Sequence, residues 1–189
     1  MGIKHTMQIS VLDNLFQQRE KEIKHAIGNL SINDVKEDGH FHASINRIKS
    51  RAILTPVTIG DPVIKNNRQE MRQVPSNYQM IFGGERAVNI VTVEFPVTGS
   101  HELFEYRANG GSLTLSNVYT PDYNSISMDI EVPALDKVQV MAAASKEINT
   151  TRELIAQNNP HAEAWSQQIG NKIDAIASAK RKELLDFYN

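Results

Sequence analysis

Val91-Thr-Val-Glu-Phe-Pro-Val-Thr-Gly-Ser-His-Glu-Leu-Phe-Glu-Tyr106 decides the fold class of this chain. Val91, Val93, Phe95 and Val97 alternate with polar residues and Pro96, as on a half-buried strand. Pro96 and Gly99 make a corner, and Leu103 to Arg107 then reads as a second strand, aromatic in character. Outward from this stretch the sequence stays rich in strand signals. Ile126, Met128, Ile130 and Val132 alternate with Ser127, Asp129 and Glu131, which predicts a strand over 125–132. Ala87 to Val97 and Tyr78 to Phe82 read as strands about Gly83-Gly84, and Leu103–Arg107 and Leu113–Tyr119 as a hairpin about Asn109-Gly110-Gly111. Phe41, Ala43 and Ile45 alternate with His42, Ser44 and Asn46, predicting a strand that runs on toward Ile59 with a slip near Ile48. Gly60-Asp61-Pro62 is a turn, and residues 65–77 lack a sustained period and read as a loop.

Helical signals flank this block. Ile9, Leu12, Phe16, Ile23, Ile27 and Leu30 form one stripe, predicting a helix over 8–28 that stops at Gly28-Asn29. After Pro133, Asp136 is a helix cap. Val138, Met141, Ile148 and Ile155 make one stripe; Asn158-Asn159-Pro160 reads as a break; Trp165, Ile169, Ile173, Ile176 and Leu184 make another. The expectation is an α+β fold. An antiparallel sheet or partly open barrel of about six strands is flanked by an N-terminal helix and a C-terminal helical hairpin. The divisions are 1–30 (helix), 31–134 (β-rich core) and 135–189 (hairpin), within a single structural unit.

Composition narrows the chemistry. The 189 residues contain no cysteine, which excludes disulfides, cysteine nucleophiles and thiolate metal sites. Net charge is −2, with no global bias toward nucleic acid or an acidic tail. Neither a membrane-length apolar run nor a signal-peptide core is present, so the expected compartment is the cytoplasm, with no membrane partner.

Charge is nonetheless uneven along the chain. Between 43 and 73, six cations (Arg47, Lys49, Arg51, Lys65, Arg68, Arg72) face two acids, leaving +4. Between 93 and 135, six acids face one cation, leaving −5. On a strand Arg47, Lys49 and Arg51 share a face. They could grip phosphates, or meet the acidic strands within one molecule or across copies. The near-neutral total favours protein contact over nucleic acid.

Candidate catalytic groups are sparse. Asp38, His40 and His42 form the densest set of metal-ligand types, and two histidines two apart on a strand share a face. A third ligand is missing from the local sequence, so no metal or cofactor is expected. His42-Ala43-Ser44 is half of a two-histidine phosphoesterase signature whose second half is absent. Arg19 and His25 have the spacing of a helical ribonuclease element, in a strand-rich setting. Asp122, Asp129 and Glu131 precede Pro133, where a magnesium nuclease needs lysine.

Phe95-Pro96-Val97-Thr98-Gly99-Ser100, followed by Leu103-Phe104 and Tyr106, resembles a patch in strand-rich N-terminal domains of bacterial anti-phage conflict proteins. In those proteins a helical linker, similar to Ile173–Leu184 with its Lys180-Arg181-Lys182 run, leads into an effector domain. The resemblance implies a sensing or adaptor part of a defence complex and carries over no catalytic residue. The expectation is therefore a non-enzymatic binding or assembly module. Its partner, a protein or a second copy, is met through Trp165, Ile169, Ile173, Ile176 and Leu184. The alternatives are a metal-dependent phosphodiesterase using the His40/His42 region and a nucleic-acid binder using Arg47, Lys49 and Arg51.

Overall fold

A computed structural model describes residues 5–73, 85–108, 111–115, 120–122 and 124–188. The order is β1 (His5–Val11), α1 (Leu12–Gly28), α2 (Ile32–Val35), α3 (Asp38–Ala52), β2 (Thr58–Ile59), β3 (Val63–Gln73) and β4 (Glu85–Thr98). A 3-10 turn (His101–Glu105) follows, then β5 (Tyr106–Arg107), β6 (Gly111–Leu115), β7 (Thr120–Asp122), β8 (Ser125–Val132) and α4 (Lys137–Tyr188). The chain is α+β, with an open antiparallel sheet flanked by N- and C-terminal helices. It forms two compact units. One comprises Thr58–Thr98 and Ser112–Glu153 with the start of β1; the other comprises Ile9–Val57, Gly99–Gly111 and Leu154–Asn189.

The first unit is built on β4, which has β2 and β3 along one edge and β8 along the other, with β7 beyond β8. All these pairs are antiparallel. Val91, Val93, Phe95 and Val97 of β4 are buried, as are Ile126, Met128, Ile130 and Val132 of β8. The register sets Val93 opposite Met128 and Val91 opposite Ile130, so the two alternating patterns fall on one face. Each such side chain contributes about 1.5–3 kcal/mol on burial. Val140, Ala144 and Ile148 of α4 are buried in the same unit. Arg152 lies over the Phe95 ring and donates to the Gly60 carbonyl at 3.0 Å, tying this part of α4 to the sheet.

The sheet's opposite face carries the charges that the sequence sets apart. Arg68 bonds Asp129 at 2.7 Å and Glu70 at 2.8 Å, Arg72 bonds Glu131 at 2.8 Å, and Lys65 meets Glu94 at 3.0 Å. Part of the basic stretch thus meets the acidic strands within one molecule. These bonds also explain β3, where the sequence reads as a loop. Its residues are polar on both faces, so no apolar alternation marks them, and the strand is specified by ten ladder positions against β4. Residues 74–77 and the strand expected over 78–82 lie outside the described residues.

Arg68, by hydrogen bond and by charge, holds Asp129 below the ordinary carboxylate range. Arg68 does the same to Glu70. Carboxylates with depressed folded pKa values stabilise the fold above their unfolded pKa, and that stability is lost as pH falls through the folded value. Arg68→Gln is expected to lower stability slightly at pH 6, as loss of a solvent-screened ion-pair network does. The gap from wild type should close as pH drops below about 4, where the wild-type carboxylates also protonate. Urea midpoints measured from pH 7 to pH 3 check this; a gap that does not narrow would contradict the network's role.

The second unit is a helical cluster. Ile23 and Ile27 of α1, Val35 of α2, Phe41, Ile45 and Ala52 of α3 and Ile169, Ile173 and Ala177 of α4 form one buried core. Here the expected strand over 41–59 is α3 instead. Phe41, Ile45, Ile48 and Ala52 recur at four, three and four, which is a helical period. The slip near Ile48 was that period showing through the alternation of Phe41, Ala43 and Ile45. Only Thr58–Ile59 of the expected run is strand, in the first unit. The predicted 8–28 helix begins at Leu12, because residues 8–11 belong to β1.

The expected strand over 103–107 is mostly the 3-10 turn, with only Tyr106–Arg107 extended. β5 and β6 do not form the expected hairpin. β5 pairs in parallel with β1 instead, Ser10 opposite Tyr106, and residues 109–110 and 116–119 of the expected hairpin lie outside the described residues. The C-terminal hairpin is also corrected: α4 is one helix of 52 residues with Pro160 inside it. An interior proline removes a helical hydrogen bond and costs about 3 kcal/mol. Neighbouring side chains offset this. Asn158 Nδ2 donates to Leu103 O at 2.9 Å and to Tyr106 O at 2.7 Å, and Asn159 bonds both backbone groups of Val57.

Candidate functional site

The residues expected to share a strand are dispersed around α3. Successive helical residues turn by about 100°, so His40 and His42 point apart and cannot jointly hold an ion. Asp38 is engaged: Arg181 hydrogen-bonds its carboxylate, which depresses its pKa, and also donates to Val35 O at 2.9 Å. His40 lies 3.8 Å from Glu37, and the His42 ring tilts against Phe41. Among the described residues no group of three His, Cys, Asp or Glu could hold a metal ion.

Arg47, Lys49 and Arg51 likewise do not all share a face. Arg47 and Arg51 are exposed one turn apart, whereas Lys49 bonds Asp174 of α4 at 2.6 Å. Arg19 reaches Glu102 and Glu22 and donates to Arg51 O at 3.3 Å, while His25 pairs with Asn29. That helix pair is therefore structural. Asp129 and Glu131 are held in the sheet's ion-pair network.

The α4 stripe is covered by the chain itself. Ile169 and Ile173 lie in the core of the second unit, and Trp165, Ile176 and Leu184 pack partly buried against it. Trp165 stacks on Phe16 with ring centroids 4.8 Å apart and 4° between planes.

What the geometry assembles instead is a clasp around the extended segment Ile53–Val57. Ser166 Oγ accepts from Leu54 N at 2.9 Å and donates to Leu54 O at 2.7 Å. Asn159 does the same for Val57, at 2.8 and 2.9 Å. Trp165 Nε1 donates to Ala52 O at 3.0 Å. On the other side Ser100 Oγ accepts from Thr55 N at 2.9 Å, and Ser100 N donates to Thr55 O at 3.0 Å. Gly99, at φ +99°, lies against Pro56. Leu54, Val57 and Leu103 are buried. The Gly99–Tyr106 stretch is thus a structural joint. Asn158 Oδ1, also buried there, has no hydrogen-bond partner among the described residues.

A second feature lies at one end of the sheet. β8 stops opposite Asn89, whose Nδ2 donates to Pro133 O at 3.3 Å, while β3 and β4 continue paired to Gln73 and Glu85. Met71 shares a face with Gln69, Asn89 and Val132 by register, and it is exposed at 62%. Leu135 and Val138, just past Pro133, are exposed at 59% and 77%. Sequence reasoning missed both features. Asn159 reads as part of a helix break, Ser166 gives no signal of its own, and exposure of an apolar residue is not legible from its type.

Comparison with protein-family models, with curated proteins and with solved structures finds no match. No helix among the described residues is long and apolar enough to cross a membrane.

Proposed function

We propose that this chain is a non-enzymatic protein-binding or assembly module, serving as a sensor or adaptor component of a bacterial defence complex. The observation that carries the contact role is the exposure of three apolar residues of the first unit, Met71, Leu135 and Val138. Solvated apolar side chains favour contact with another protein surface. The defence assignment is supported by the resemblance carried by Phe95–Tyr106. Partner contact through α4 is part of the proposal, with the residues that remain exposed there, Phe187 and Tyr188, in place of the buried Ile169 and Ile173.

The test is light scattering and chemical cross-linking of the purified chain, alone and with candidate partner proteins. Wild type is expected to form a defined complex or oligomer. The double substitution Leu135→Asp and Val138→Asp should weaken it by about tenfold or more, through loss of interface residues worth roughly 1–2 kcal/mol each. Both residues are exposed, so thermal stability should be unchanged. A monomer that engages no protein but cleaves labelled RNA or DNA, or shifts nucleic acid at physiological salt, would replace this reading with one of the two alternatives.

A further inference from the structure

Ile53–Val57 is held mainly by side chains, with a main-chain bond from Ser100 N to Thr55 O. It is extended, yet three side chains serve its backbone: Ser166 takes both the N–H and the C=O of Leu54, Asn159 both groups of Val57, and Ser100 Oγ the N–H of Thr55, while Trp165 bonds the C=O of Ala52, the α3 residue just before it. A side chain that bonds both backbone groups of one residue recognises an extended chain whatever its sequence. The spacing agrees with this. Ser166 and Asn159 are seven residues apart, or about 10.5 Å along a helix. Leu54 and Val57 are three apart, or about 10 Å in an extended chain. Two turns of α4 therefore measure three extended residues running antiparallel to it. The sequence-dependent part is apolar: Leu54 and Val57 are buried, while Ile53 is 44% exposed and Thr55 also faces solvent.

We propose that Asn159, Trp165 and Ser166 line a peptide-reading groove on α4, occupied here by the chain's own Ile53–Val57 strap. The ligand in trans is an extended, uncharged segment of a partner protein with apolar residues at its first and fourth positions, spaced as Leu54 and Val57 are. The strap is an autoinhibitory occupant: tethered at both ends, it competes at high effective concentration, and the partner enters when it opens locally. This names a partner class for the contact module proposed above and rests on that reading.

The probe is a blocked synthetic peptide spanning residues 52–59. The readout is emission from Trp165, the chain's single tryptophan, whose indole N–H bonds Ala52 O next to the strap. Full-length chain with Leu54→Ala and Val57→Ala is expected to bind the peptide at least about tenfold more tightly than wild type, because its strap competes less well. Adding Asn159→Ala should reverse that gain, and a peptide N-methylated at its Val57 position should not bind. A folded strap-weakened chain that ignores the peptide, or binds a scrambled one equally, would overturn the proposal. Should that variant not fold, hydrogen exchange on wild type decides. The amides of Leu54, Thr55 and Val57 should exchange together, at least about tenfold faster than those of Ile169 and Ile173. Equal protection would overturn it. A chain that assembles through Leu135 and Val138 yet fails both tests refutes the groove and leaves the assembly role standing.

Discussion

Gly99→Ala is expected to cost at least about 3 kcal/mol of folding stability, a large loss for one methyl group. A Cβ at this position would stand 2.2 Å from Pro56 O and 2.8 Å from both Pro56 C and Val57 Cα. All three are backbone atoms, so no rotamer change relieves the overlap. The φ of +99° adds strain for any L side chain. Relief requires the strap to move, which loosens the Ser100–Thr55 and Asn159–Val57 bonds together. Gly28 is the control. A Cβ there meets nothing within 4 Å, and Gly28→Ala should be neutral or slightly stabilising. Urea denaturation of both variants separates the cases; a Gly99→Ala midpoint equal to wild type would contradict the clasp geometry.

Ile173→Asp should leave no folded second unit. Ile173 is fully buried among Ile23, Ile27, Phe41 and Ile45. Truncation to alanine alone is expected to cost about 2–5 kcal/mol. An aspartate there adds the desolvation of an unpaired charge, which exhausts a typical domain stability of about 5–15 kcal/mol. Phe187→Asp, at a position exposed at 80%, should melt like wild type. Circular dichroism melts and size-exclusion chromatography distinguish these outcomes. Soluble, stable Ile173→Asp protein would refute the burial of the stripe.

The parts of the fold legible in the sequence were those where one physical signal dominated. β8 has the predicted bounds because its alternation is strict and one face is buried. β4 and the α1 stop at Gly28 follow for similar reasons, and Asp136 caps α4 as expected, accepting from Val138 N at 2.8 Å. The failures occurred where tertiary contacts outweighed local signals. Phe41–Ile45 alternates over five residues, but its longer spacing is helical, and the core with Ile169 and Ile173 selects the helix. Asn158-Asn159-Pro160 carries every local mark of a helix end, and its amide side chains instead bind distant backbone groups and keep α4 continuous. β3 is specified by ion pairs across strands, which no period along the chain displays. For the candidate site, the sequence supplied residue types without their directions. Asp38, His40, His42, Arg47, Lys49 and Arg51 scatter once their segment is helical.

The core of the second unit joins segments far apart in sequence, with Ile45 and Ile169 separated by 124 positions. On the ribosome, α1 to α3 emerge long before the α4 residues that cover them. At translation rates of about 5–20 residues per second, Phe41 and Ile45 wait roughly 6–25 s for Ile169 and Ile173. Throughout that interval the nascent helices present an uncovered apolar face. This unit is therefore completed only after residues 169–177 have emerged, so a slower chain exposes that apolar face for longer.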